Sequence, residues 1–92
     1  MPVEFYAQAD GTLDADGDIY ARLLADASMA VLLLNRGTVV LTICVHWADI
    51  GLNSYEQAAV RDLWLHRDLG LFLGTYCATV PSHDVVMLRI WQ

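Results

Sequence analysis

The stretch Val39-Val40-Leu41-Thr42-Ile43-Cys44-Val45-His46-Trp47 has an apolar residue at every odd position, with Thr42, Cys44 and His46 between them. Side chains alternate across a strand, so this period of two reads as a strand with one buried face. Upstream, Ala30 to Leu34 is apolar throughout, as expected of a central strand covered on both sides. Asn35-Arg36-Gly37 supplies tight-turn residues between the two runs, which are therefore expected to pair as a hairpin.

The same reading extends to the rest of the chain. In Thr75 to Val80, Tyr76, Ala78 and Val80 alternate with Thr75, Cys77 and Thr79. In the last segment Val86, Leu88 and Ile90 share a face opposite Val85, Met87, Arg89 and Trp91, so both faces are largely apolar. Ile19 to Ala25 and Ala58 to Leu63 suit short helices on propensity alone. Glycine- and aspartate-rich turns about 8 to 12 residues apart favour strands for both. The expected fold is all-β, an antiparallel Greek-key β-sandwich of about seven to eight strands, with residues 1–92 as a single domain.

Composition narrows the function. The apolar share is 57% without glycine, above the roughly 45–50% usual for soluble chains with glycine included. No membrane span absorbs the excess, because the longest apolar run, Met29 to Leu34, falls far short of the roughly 20 residues a bilayer needs. What is left is a filled sandwich plus an apolar outer patch. A net charge of −6 with only five scattered basic residues argues against nucleic acid. Cys44 and Cys77 are too few for a disulfide scaffold and lack metal-type spacing; they form one bridge or none. Met1-Pro2-Val3-Glu4 has no leader character, which implies the cytoplasm if the chain is complete, although a piece of an exported protein would look the same.

Chemistry-bearing groups are sparse. Asp14-Ala15-Asp16-Gly17-Asp18 invites a calcium reading, but its glycine comes early and Ala25 stands where the bidentate Glu belongs, so it reads as a solvated acidic turn. His46, His66 and His83 have no zinc-type spacing and read as surface or turn residues. No nucleophile elbow surrounds Ser28, Ser54 or Ser82. Glycoside hydrolysis needs two carboxyls roughly 5–9.5 Å apart. Asp49, Asp62 and Asp68 read instead as turn residues that accept backbone N–H bonds. No catalytic, cofactor or metal residue is assigned. Among the aromatics, Trp47 and Tyr76 fall on core faces, whereas Trp64, Trp91 and Tyr55 are candidates for stacking on sugar rings.

Four blocks in order add a family resemblance: Leu24-Ala25-Asp26 leading to Ala30–Gly37, Trp47-Ala48-Asp49-Ile50-Gly51-Leu52, Val60-Arg61-Asp62-Leu63-Trp64 with His66 and Asp68-Leu69-Gly70, and Ala78 to Val86. Together, over residues 19–90, they resemble the C-terminal β-sandwich of the alpha-galactosidase (melibiase-like) glycoside hydrolases. The resemblance implies a non-catalytic accessory domain beside a (β/α)8 barrel that carries the catalytic aspartates and the sugar pocket. Ala27 and Asp84 depart from the family where glycine is usual, at positions expected to need a positive φ. The partner expected is that barrel, or a second copy of the chain through an apolar face formed by Val85, Met87 and Trp91. A carbohydrate-binding module using Trp64, Trp91 or Tyr55 is the alternative.

Overall fold

The computed structural model describes residues 4–8, as backbone only, and 17–92. Among the described residues eight strands follow one another: β1 (Glu4–Gln8), β2 (Gly17–Leu23), β3 (Met29–Asn35), β4 (Leu41–His46), β5 (Gln57–Asp62), β6 (Arg67–Leu73), β7 (Thr75–Val80) and β8 (Val85–Trp91). They form a six-stranded antiparallel sheet in the order β1-β2-β3-β8-β5-β6 and a two-stranded antiparallel sheet, β4-β7. The chain crosses between sheets after β3, β4, β6 and β7, as expected of a Greek-key sandwich. Both segments with helical propensity, in β2 and β5, are strands.

The core lies between the sheets. From the large sheet come Ile19, Ala21, Val31, Leu33, Ala58, Val60, Leu88 and Ile90; from the small one, Ile43, Val45 and Val80, with Trp47 just beyond. The alternation read in 39–47 therefore holds at Ile43, Val45 and Trp47, and Leu41 packs partly against the core. Val39 is 59% exposed because it precedes the strand. Trp47 has no exposure, and its indole N–H donates to the Phe72 carbonyl oxygen at 3.1 Å. It opens a 3₁₀ turn, Trp47–Ile50, closed by Gly51 at φ 82°, where a side chain would be strained.

The expected hairpin between 30–34 and 39–47 does not form. β3 pairs with β2 and β8, and β4 pairs with β7 in the other sheet. The residues between them are a crossover organised by Asn35, which is fully buried. Its Nδ2 donates to the carbonyls of Val39 at 2.8 Å and Val80 at 3.0 Å, and its Oδ1 accepts the Gly37 N–H at 2.8 Å. A buried amide with its bonds satisfied at a sheet corner replaces the hydrogen bonds that a hairpin ladder would have supplied.

Candidate functional site

The two outer faces of the sandwich differ in kind. Register places Thr42 opposite Thr79, Cys44 opposite Cys77 and His46 opposite Thr75 on the outside of the small sheet. The two cysteines form a disulfide there, with Cα atoms 3.9 Å apart. The spacing in sequence had left this pairing open. On the outside of the large sheet, Tyr20 lies opposite Leu32, Leu32 opposite Met87, Leu34 opposite Val85, and Ala59 opposite both Trp91 and Leu71. Most of these are half-buried against one another, and Leu71 is 61% exposed. A hollow of ≈ 170 Å³ opens between Tyr20, Leu32, Leu63 and Met87.

Val85, Met87 and Trp91 thus share the outer face, opposite Leu88 and Ile90 in the core. The Arg89 guanidinium lies 4.9 Å from the centroid of the Trp91 ring, within cation–π range. Arg89 also donates to the Ser28 hydroxyl at 3.1 Å and pairs with the Asp26 carboxylate. Ser28 donates its backbone N–H to Asp26 Oδ1 at 3.1 Å and its hydroxyl to the same oxygen at 2.5 Å. These bonds, with the Arg89 charge assisting, hold the Asp26 carboxyl down at about 2. The Asp26-Ala27-Ser28 turn therefore anchors β8 to the β2–β3 connection.

The three aromatics proposed for sugar contact do not form one row. Trp64 sits in the β5–β6 turn and is 64% exposed; Tyr55 sits in the β4–β5 connection and is 92% exposed. Asp62 lies opposite Leu88 on β8, about 10 Å from Trp91 at ~3.3 Å per residue, and Trp64 lies beyond it in the turn. Trp64 does have carboxylates for neighbours. An open cleft of ≈ 580 Å³ lies between Asp62, Trp64 and Leu65 on one side and Pro81, Asp84 and Val85 on the other. Asp62 Oδ1 accepts the N–H groups of Trp64 and Leu65, both at 2.9 Å, the turn role expected of it. Asp68 pairs with Arg61 at 2.9 Å instead of capping a turn, and Asp49 is exposed in the 3₁₀ turn.

Other expectations are corrected here. Ala27 has φ 69°, as its position suggested, but Asp84 does not: the left-handed residue of the β7–β8 turn is His83, at φ 56°. All three histidines are exposed, and His66 also has a positive φ. Asp18 is no solvated turn residue. It is 4% exposed and paired with Arg36, Nε to Oδ2 2.6 Å, because β2 starts at Gly17 and carries it under the crossover. Asp14 and Asp16 lie outside the described residues. Among the described residues no group of His, Cys, Asp or Glu is arranged to hold a metal ion. Burial pushes the Tyr76 phenol above its ordinary value, with the Asp62 charge acting the same way.

These features define a class: a β-sandwich with one outer surface of threonine, histidine and disulfide, and another whose apolar centre is bordered by Arg22, Arg61 and Arg89. The family described as the alpha galactosidase C-terminal beta sandwich domain matches residues 14–90, and the chain belongs to that family. It is 38% identical over 72 residues to an alpha-galactosidase from Coffea arabica, covering 78% of this chain and 19% of that one. It is 36% identical over 77 residues to alpha-galactosidase 2 from Arabidopsis thaliana, covering 84% and 19%. The chain thus spans about a fifth of the length of these relatives. Among solved structures, alpha-galactosidase I from Mortierella vinacea superposes with a TM-score of 0.84 at 27% identity, over 97% of this chain and 23% of that one. A β-L-arabinopyranosidase from Geobacillus stearothermophilus shares the fold, with a TM-score of 0.85 at 19% identity over 99% of this chain and 19% of that one.

Proposed function

We propose that this sandwich is the non-catalytic accessory domain of an alpha-galactosidase-type glycoside hydrolase, and that it packs through the outer face of its six-stranded sheet against a catalytic barrel. The observation that carries the reading is the apolar character of that face at Leu32, Leu34, Val85 and Met87, beside a small sheet whose outer face is threonine, histidine and disulfide. A sheet needs only one apolar face to fill a sandwich, so a second one is suited to an interface. The hollow beside Met87 would accept an inserted side chain. Within the family the barrel supplies the acid and the nucleophile, and the sandwich supplies surface that the barrel buries.

The test is a chimaera in which this chain replaces the matching segment of the coffee alpha-galactosidase. The chimaera is expected to be soluble and active, and Met87→Lys to lower its thermal stability while the 92-residue chain carrying the same change still folds. Equal stability of the chimaera with and without Met87→Lys would remove the proposed interface. The 92-residue chain by itself is expected to release nothing from a chromogenic alpha-galactoside, since hydrolysis needs a positioned acid and nucleophile. Turnover above buffer that disappears in Asp62→Asn would refute the accessory reading.

A further inference from the structure

We propose that the cleft between the β5–β6 and β7–β8 turns is a sugar-binding subsite, in which a neutral pyranose stacks on Trp64 and its hydroxyls donate to Asp62 and Asp84. Each part of the site is already held in place. Asp62 is fixed through Oδ1 by two N–H donors from its own turn, and Oδ2 makes no hydrogen bond among the described residues. It is therefore an oriented acceptor with capacity to spare. Asp84 is likewise pinned by the Val85 N–H to its Oδ1 at 2.7 Å, and its backbone carbonyl accepts the Asn35 N–H at 3.0 Å. The far wall is tied to the crossover by the Ser82 hydroxyl, which donates to the Gly37 carbonyl at 2.7 Å. Two turns that need not reorganise on binding frame an open cleft of ≈ 580 Å³.

The chemistry selects the ligand. Trp64 leaves 64% of its surface in water although large aromatics ordinarily bury theirs, and Leu65 and Val86 add apolar lining to the cleft. An indole face suits the flat C–H surface of a pyranose, and carboxylates at its edge accept hydroxyl hydrogens in charge-assisted bonds. Two carboxylates in a chain of net charge −6 disfavour an acidic ligand, so a neutral sugar fits and a uronic acid does not. The other exposed aromatics lack this setting. Trp91 is covered by Arg89, and beside Tyr55 the Glu56 carboxylate is engaged by Asn53, whose Nδ2 donates to it at 3.2 Å and whose Oδ1 accepts the Tyr55 N–H at 2.8 Å.

The experiment follows the indole N–H resonances of the 92-residue chain as galactose or raffinose is added, with glycerol and galacturonate as controls. The expected result is a saturable shift of the Trp64 signal alone, with a Kd of about 1 mM, absent with glycerol and weaker with galacturonate. Asp62→Asn keeps the oxygen that the turn uses but removes the charge, so it should stay folded and bind about tenfold more weakly. Trp64→Ala should abolish protection of the chain against thermal unfolding by either sugar. No saturable shift up to about 100 mM, an equal shift with glycerol, or undiminished binding by Asp62→Asn would each overturn the proposal.

Discussion

The two sheets present opposite outer faces. Outside β4 and β7, Thr42, His46, Thr75 and Thr79 meet water around the Cys44–Cys77 bridge. Outside β2, β3 and β8, Tyr20, Leu32, Leu34, Met87 and Val85 make a second apolar layer. A two-stranded sheet is marginal without added support, and here the core beneath it and the disulfide supply that support. The six-stranded sheet needs no such staple, and it carries apolar side chains beyond those that fill the core. Much of the apolar surface beyond the core lies on one face of one sheet, with further exposed apolar residues such as Val39, Val40 and Leu65 in the connections.

The largest effect is expected from truncating matched residues on the two faces of β3. Leu33 is fully buried, so Leu33→Ala should cost about 3–5 kcal/mol in denaturant unfolding. Leu32→Ala, one residue away on the outer face, should cost about 1 kcal/mol or less in the monomer. Equal losses would mean that the outer face is core. Next in size is the small sheet. The bridge spans a sequence separation of 33, and converting both cysteines to serine should cost roughly 3–4 kcal/mol by the loop-entropy account. Reduction that leaves the melting temperature unchanged would show that the core alone holds β4 to β7.

A smaller effect belongs to Ala27, at φ 69°. Relief of the left-handed strain and the added unfolded-state entropy of glycine act in opposite directions, so Ala27→Gly should be neutral or stabilising by up to about 1 kcal/mol. A clear fall in melting temperature would contradict this. The last effect is a pH dependence. The Asp26 carboxyl is held at about 2 in the folded chain against 3.8 for the free side chain. Its contribution is thus present above pH 3.8 and is lost as the pH falls from there through 2. Asp26→Asn should flatten that part of the acid limb, as followed by far-ultraviolet circular dichroism; an unaltered limb would mean that the Ser28 and Arg89 contacts persist in the unfolded chain.

How much of this was legible in sequence depended on the range of the cause. Period-two alternation in 39–47 and 75–80 is local, and it correctly gave strands and the buried Trp47. The partner of β4 is not local. Turn residues at Asn35-Arg36-Gly37 look the same in a hairpin and in a sheet-to-sheet crossover, and what separates them is the bond from Asn35 to Val80, 45 residues on. The Cys44–Cys77 bond follows from that same register, which spacing does not encode. The positive φ at Ala27 was what the family resemblance implied, whereas the one it implied at Asp84 fell one residue earlier, at His83. Trp64 could be nominated as an exposed aromatic, but its sharing a cleft with Asp84 depends on β5 and β8 being neighbours.

If the sandwich works as proposed, the outer face of the six-stranded sheet is made to be covered. Sedimentation of the 92-residue chain at micromolar concentration tests it most directly, because in the absence of a barrel the exposed face should find a second copy. An interface of about 800 Å² per side would suffice for a specific dimer. The wild type is expected to self-associate, and Met87→Lys to be a folded monomer. A strictly monomeric wild type, or a Met87→Lys variant that stays associated, would contradict the claim.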